Sequence, residues 1–433
     1  MTLARRELLA YGALGLPLAM AALPVYVHAP KYYGGDLGVN LAAMGVILLL
    51  LRIVDAVQDP WLGHLSDRYA ARPHGRLFFV VLAVPLLALG FYALFNPPAG
   101  VSLTLWFAAT LFVVYLAFSL ASISYQALGA ELSRDPHERT RVTATREGLA
   151  LVGVLIAAAA PELLKRDGES GLPLFALLFI PLLLVASQIT VGGTPRPAAA
   201  PAPASEASVF GSLRVSLGNR RFRHLLAVFV LGGVAASIPA TLVLFFVDDV
   251  LGAESMAGAF LATYFLAGAA GMVFWVKLAG LIGKRNAWVA SMLLAIVAFV
   301  WAFTLGRGDT TAFLVICALS GLALGADLAI PPSILADVID WGRGGAGPAQ
   351  EGGYFGLWSL VTKLNLALAA GIALPLLPLF GYQPGADNDA TALTALAAAY
   401  ALIPCALKAL AAGLLLAAPL SPAPAGAAAP HGG

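Results

Sequence analysis

The run Leu51-Arg52-Ile53-Val54-Asp55-Ala56-Val57-Gln58-Asp59-Pro60 places three charges inside an otherwise apolar stretch. Asp55 and Asp59 are one helical turn apart and stack on one face, with Arg52 a turn earlier beside Asp55. A charge in hydrocarbon costs at least about 2.5–3.5 kcal/mol on insertion scales. A helix keeps such a cluster only where it faces a protein interior or a wet cavity.

The surroundings of this run are those of a membrane. The chain has 433 residues, 60% of them hydrophobic and 11% charged, where a soluble domain carries about 25% charged. No aqueous core absorbs that much apolar surface, so an integral membrane protein is expected. At roughly 20 apolar residues per span, the pattern predicts twelve helices, near 8–29, 40–65, 76–95, 102–130, 142–164, 172–192, 223–249, 254–281, 286–305, 311–339, 352–380 and 392–418. The stretch after Arg5 and Arg6 is too long for a cleavable signal and reads as the first span. Cys317 and Cys405 fall in separate helices and read as small buried residues, not as a disulfide or a metal site.

Most loop arginines and lysines, from Arg5 and Arg6 to Arg343, fall on one side. The other side holds only Lys31, Lys165, Arg166 and Arg307. By the positive-inside rule both termini are cytoplasmic, and a multi-pass protein of a bacterial inner membrane is expected. The net charge of +2 gives no reason to expect nucleic-acid binding.

Pro195, Pro197, Pro201 and Pro203 lie among alanines, so 193–222 reads as an extended, then basic, cytoplasmic linker. It divides a six-helix half at 1–192 from a second at 223–418, with a disordered tail at 419–433. The turns after the second and eighth spans echo each other. Asp67, Arg68, Arg72 and Arg76 sit in the first, Lys284 and Arg285 in the second. Such loops can serve as latches, their cations binding carboxylates or helix C-termini and holding the halves until released; the alternative is that the arginines only anchor topology by charge. Repeated features in two halves are a mark of repeat-built transporters.

The first loop, G-x-x-x-D-R-x-x-x-R-x-x-G-R, resembles the signature of the major facilitator superfamily. The R-x-x-D-A-x-x-D-P run, continuing to Asp67-Arg68, resembles more narrowly the glycoside–pentoside–hexuronide:cation symporters, the melibiose-carrier branch. Tyr11-Gly12, Ser122 to Leu128 (with Tyr125 and Gln126), Ile238 to Thr241 and Tyr354 to Lys363 extend the resemblance along nearly the whole chain. It implies a twelve-helix, all-α major facilitator fold in two halves and cation-coupled transport. Asp55 and Asp59 would form the coupling-ion site with Ser119, Lys363 would act beside them, and Arg146 would belong to the substrate region. The sequence departs from the sugar-binding pattern. No acid lies between Leu8 and His28, and Ser122 stands at the helix-four position.

The residues support a similar reading independently. Asp55 and Asp59 offer four oxygens to a hard cation or a shared site to a proton, leaving Na+ and H+ both open; fixed salt bridges with Arg52, Arg146 or Lys363 are the structural alternative. Lys363, alone in its span with Asn365 two residues on, needs an anionic partner, and the Asp55/Asp59 pair is the expected one. Arg146 and adjacent Glu147 should point to different faces, Arg146 to the pocket. Asp327, before Pro331-Pro332, is expected at the substrate, at a gate or in a buried structural bond, and Asp337 and Asp340 in inner-gate bridges. Tyr26, Tyr115, Tyr125, Tyr264 and Trp358 are candidates to stack on cargo. The expected substrate pocket is thus Arg146, Ser122, Tyr125, Gln126, Asp327, Trp358 and Asn365.

There is no P-loop and no His/Cys cluster of metal spacing, so neither enzyme chemistry nor a cofactor is expected beyond the coupling ion. The expected protein is a monomer among membrane lipids that moves a small, sugar-like solute by alternating access. The rivals are a facilitator-fold transporter of an amphiphile or lysolipid, and a non-transporting sensor or assembly factor.

Overall fold

The computed structural model of the chain describes residues 3–70, 75–132, 136–166, 170–195, 216–342 and 351–418. Most of the predicted linker, 196–215, and the tail, 419–433, lie outside the described residues, as does Arg343.

Among the described residues, twelve helices are long and apolar enough to cross a membrane. They are α1 (Arg5–Asp36), α2 (Leu41–Asp59), α3 (Gly75–Phe95), α4 (Leu103–Gly129), α5 (Arg141–Leu163) and α6 (Leu172–Gly193). After residue 216 follow α7 (Arg220–Val250), α8 (Glu254–Ile282), α9 (Lys284–Thr304), α10 (Thr310–Ile339), α11 (Leu357–Phe380) and α12 (Ala390–Ala417). Helix α2 continues as a helix to Ala70, beyond its most apolar part.

One boundary differs materially from expectation. The first span does not end before Pro30 but runs to Asp36. Two π-helical turns, Pro24–His28 and Tyr32–Asp36, widen the helix around its prolines. A π turn redirects the carbonyls that a proline, lacking N–H, leaves unpaired, so the helix continues. Lys31 is therefore a helical residue, 9% exposed, and not the loop residue its charge suggested.

Leucines and valines that point outward, such as Leu89, Leu105 and Val297, are more than half exposed. In hydrocarbon this carries no penalty. Inside, small residues let helices touch. A Cβ on Gly325 of α10 would lie 2.2 Å from the Met272 amide nitrogen of α8, so these two backbones meet directly. Helix α2 packs on α11, and α5 on α8, which joins the first six helices to the last six. One apolar core fills the first six helices and continues around Phe246, Phe313 and Tyr400; a smaller one surrounds Phe222, Trp288 and Leu335.

Candidate functional site

The charges of α2 converge with side chains from α1, α4 and α11. Asp55 lies fourteen residues beyond Leu41, roughly 21 Å along the helix, well inside the bundle. Its Oδ2 accepts from Arg52 Nη1 at 3.0 Å. Its Oδ1 accepts from Ser119 Oγ at 2.7 Å and from Gln58 Nε2 at 3.3 Å. The Arg52 guanidinium is clamped between the rings of Tyr26 and Tyr115, at 4.4 and 4.0 Å from their centroids. Two cation–π contacts in a desolvated site are each worth about 2 kcal/mol. They fix the guanidinium with one edge on Asp55, while Arg52 Nη2 is buried with no hydrogen-bond partner among the described residues.

Lys363 of α11 completes the cluster. Its ammonium is 3.0 Å from Asp55 Oδ2 and 3.0 Å from Ser119 Oγ, and it forms an ion pair with Asp59. The sequence predicted that this lysine pairs with both acids, and the structure brings all three together with Ser119. The burial is graded. Asp55 is 2% exposed, while Asp59 and Lys363 are each 20% exposed. Asp59 Oδ1 has no hydrogen-bond partner among the described residues. Two carboxylates and a hydroxyl thus surround one ammonium, a set of hard oxygen donors that also suits a small monovalent cation.

Beside Lys363, Asn365 donates through Nδ2 to the Phe229 carbonyl at 3.3 Å, and its Oδ1 is buried without a hydrogen-bond partner among the described residues. Trp358 stacks on Phe229 at 3.7 Å between centroids. Trp358 and Asn365 therefore sit against α7 on the same helix as Lys363. Ser122, a turn from Ser119, donates to the Ser119 carbonyl at 3.3 Å.

Other expected pocket residues lie elsewhere. Tyr125 is buried in the α1–α4 contact, its hydroxyl donating to the Tyr11 carbonyl at 2.6 Å with the two rings stacked at 4.6 Å. Gln126 is exposed. Arg146 and Glu147 do not diverge as expected. The Arg146 guanidinium donates twice to Glu147 Oε1, at 3.1 and 2.6 Å. Adjacent helical residues start about a third of a turn apart, but both side chains are long enough to fold back on each other.

The latch residues divide. The side chains of Asp67, Arg68, Arg72 and Asp340 lie outside the described residues. Arg76 donates to Ser66 Oγ at 3.1 Å, which in turn accepts from Ser124 Oγ at 3.1 Å, tying α2, α3 and α4 together. Lys284 pairs with Asp337 at 2.6 Å, and Arg285 donates to the Leu416 carbonyl near the end of α12. These contacts of Lys284 and Arg285 tie helices of the last six to each other.

Sequence reading named Asp327 but missed its partner Lys408, and it missed a second group of ion pairs. Asp327 pairs with Lys408 and accepts from Trp288 Nε1 at 2.9 Å. Lys408 is the sole charge in α12, and a lone lysine and a lone mid-span acid in two apolar helices were a signal for pairing. On the face opposite the basic loops, Lys31 pairs with Asp248, and Lys165 pairs with Glu162 at 3.1 Å and Glu254 at 2.9 Å. The Lys31–Asp248 and Lys165–Glu254 pairs cross between the first and last six helices. The doublet Asp248-Asp249 at the end of α7 was their visible trace.

Comparisons agree with this architecture. The profile of the MFS/sugar transport protein family matches residues 8–421. A glucuronide carrier protein homolog of Escherichia coli is 25% identical, the match covering 88% of this chain and 85% of that one. A putative sulfoquinovose importer of the same organism is 26% identical over 94% and 89% of the two chains. The crystal structure of the nucleoside transporter NupG superposes with a TM-score of 0.72 at 14% identity, over 96% of this chain and 99% of that one, which shows a shared fold. The twelve helices, their charged centre and the family match agree: this chain is a multi-pass membrane transporter, not an enzyme, and belongs to the MFS/sugar transport protein family.

Proposed function

We propose that the chain is a cation-coupled secondary transporter in which Asp55, Asp59 and Ser119 bind the coupling ion, Na+ or H+. The observation that carries this is the position of Lys363, whose ammonium touches all three residues. It acts as a resident cation. An incoming ion enters at Asp59, the more exposed acid, and displaces the lysine, freeing α11 from α2 and so loosening one contact between the two six-helix sets. Lys363 then returns when the ion leaves, which resets the cycle of alternating access. Arg52 stays clamped by its tyrosines throughout and holds Asp55 in place.

Charge balance supports an acidic cargo. Arg52 and Lys363 neutralise Asp55 and Asp59, so an added cation leaves the cluster with one uncompensated positive charge. An uncompensated charge in a low-dielectric interior is strongly disfavoured. A cargo carrying one negative charge restores neutrality and can use Lys363 once it is displaced, or the free edge of Arg52. Sugar acids and sugar sulfonates fit this chemistry and have the hydroxyls that Asn365 and Ser122 can bond. The relatives named for glucuronide and sulfoquinovose favour the same class. The basic loops favour an orientation with both termini in the cytoplasm.

The test is concentrative uptake of a labelled uronic acid into cells or vesicles under imposed Na+ and H+ gradients. Asp59→Asn is expected to abolish accumulation against a gradient while leaving expression and membrane insertion normal. Uptake at the unmutated level by that variant overturns the assignment. Dependence on the Na+ or the pH gradient identifies the ion.

A further inference from the structure

We infer that the last six helices contain a second binding site, separate from the Asp55–Lys363 cluster, for a small neutral amphiphile with a hydroxyl head and a single-ring or short-alkyl body. It lies between α7, α8, α9, α10 and α12, with Val27 of α1 also in its wall, as a cavity of about 110 Å³. An engineered apolar cavity of about 150 Å³ accepts benzene, so this one is sized for one small ring. Its wall is mostly apolar, with Phe260, Phe265, Phe299 and Leu261 among the lining residues.

One end is polar, and that end selects the ligand. Asp327 and Lys408 both line the cavity as an ion pair, their side chains 20% and 11% exposed. Trp288 Nε1 holds Asp327 Oδ1, and Lys408 holds Oδ2. An ammonium has three N–H groups and a carboxylate about four lone-pair sites. The pair therefore presents a donor and an acceptor side by side with no net charge. A hydroxyl meets both at once, accepting from Lys408 and donating to Asp327. A carboxylate or an ammonium would leave an uncompensated charge in an apolar cavity, and a pure hydrocarbon would leave the polar end unmet. Ser320, also in the wall, already donates to the Ile316 carbonyl at 2.7 Å. The site is thus specific for phenol-like or alcohol-like molecules, and its argument does not use the coupling reading.

The chain's two cysteines, Cys317 and Cys405, both line this cavity. Cys405 is half-buried and free, so with Cys317 replaced by valine it reports occupancy. The full chain in lipid vesicles is labelled with N-ethylmaleimide in the presence of 4-methylphenol, toluene or 4-methylbenzoate. The phenol is expected to slow labelling at concentrations at least about tenfold lower than the other two, the size of one to two net hydrogen bonds. In Asp327→Leu/Lys408→Met, which removes the ion pair without stranding a charge and leaves only the Tyr264, Tyr400 and Ser320 hydroxyls in the wall, phenol should lose most of its advantage over toluene. Ala236→Phe keeps the ion pair but fills the cavity, and should abolish protection by all three. Equal protection by toluene and phenol in the parent, stronger protection by the benzoate, or none at all each overturns the proposal. So does phenol protection that survives Ala236→Phe.

Discussion

Lys363 Nζ lies 3.0 Å from Asp55 Oδ2, although one residue belongs to the eleventh helix and the other to the second. Few contacts could link the binding of a small ion so directly to the docking of α11 on α2. The lysine bonds the same oxygens that an ion would need, so both cannot be satisfied together.

This competition makes Lys363→Met informative. Removing one partner of a buried pair costs about 3–5 kcal/mol, and the lower end applies because Lys363 and Asp59 are a fifth exposed. In cation-free buffer the variant should melt below the parent protein. Its melting point should then rise more steeply with the coupling ion, since no lysine needs displacing and ligand stabilisation follows the free-ion affinity. Thermal melts across Na+ concentration and pH, at constant ionic strength, read the effect. A variant with the same ion response as the parent excludes Lys363 as the competitor.

Arg52→Lys tests whether geometry or charge matters at Asp55. Lysine keeps the charge but loses the planar face that Tyr26 and Tyr115 sandwich. Loss of that clamp should cost about 1–3 kcal/mol of stability and lower uptake at least about tenfold. Paired Tyr26→Leu and Tyr115→Leu variants should each cause part of the same loss. Unchanged uptake in Arg52→Lys would reduce the role of Arg52 to charge balance.

Much of this was legible in the sequence. Long apolar runs fix helix number because each span must satisfy its own backbone in lipid, and the observed spans follow the predicted ones closely. The α2–α11 cluster was legible for a related reason, since a charge in hydrocarbon demands a partner and few are available. The end of α1 was not, because whether Pro30 stops a helix depends on π turns that composition does not reveal. Nor was the Arg146–Glu147 pair, which depends on side-chain folding within one turn. Tyr125 was misplaced because an aromatic that stacks on Tyr11 and one that stacks on cargo look alike in a string of letters.

A glycine beside the cluster gives a sharper steric prediction. A Cβ on Gly233 of α7 would lie 1.9 Å from Asn365 Nδ2 and 2.6 Å from its Cγ. Gly233→Ala should drive the Asn365 side chain off the Phe229 carbonyl and push α7 from α11, costing about 1–3 kcal/mol by overpacking. The melting point and uptake should both fall in Gly233→Ala; in Gly233→Ala/Asn365→Gly, which restores the space, the melting point should recover in part while uptake, deprived of the Asn365 amide, stays low. If the single variant melts and transports like the parent, α7 and α11 do not need this approach.

On the face away from the basic loops, Lys31–Asp248 joins α1 to α7, and Lys31 is almost fully buried. Asp248→Asn leaves that ammonium without its charge partner and should favour separation of the helices there. A cysteine introduced at Val247, 1% exposed, in a chain lacking Cys317 and Cys405, reads the opening. Its labelling by a membrane-impermeant thiol reagent should quicken at least about tenfold with Asp248→Asn, and slow again in Lys31→Asp/Asp248→Lys. Unaltered labelling means that the pair does not close this face.

Lys165 adds a pH signature to the same face. Burial opposes its charge, but the Glu254 and Glu162 carboxylates outweigh this and hold its pKa above the ordinary lysine value. A group whose folded pKa is raised stabilises the fold fully below its unfolded pKa, about 10.4 for lysine. That contribution is lost as pH rises through the higher folded value. Because Lys165 is 30% and Glu254 51% exposed, solvent screening limits the Lys165–Glu254 pair to about 0.2–1 kcal/mol. The melting-point gap between the parent and Glu254→Gln should therefore be small, flat from about pH 7 to 9.5, and should close above about 10.4. It should also shrink in high salt. A gap that widens with rising pH contradicts the pairing, because only a charged lysine can favour the closed face through Glu254.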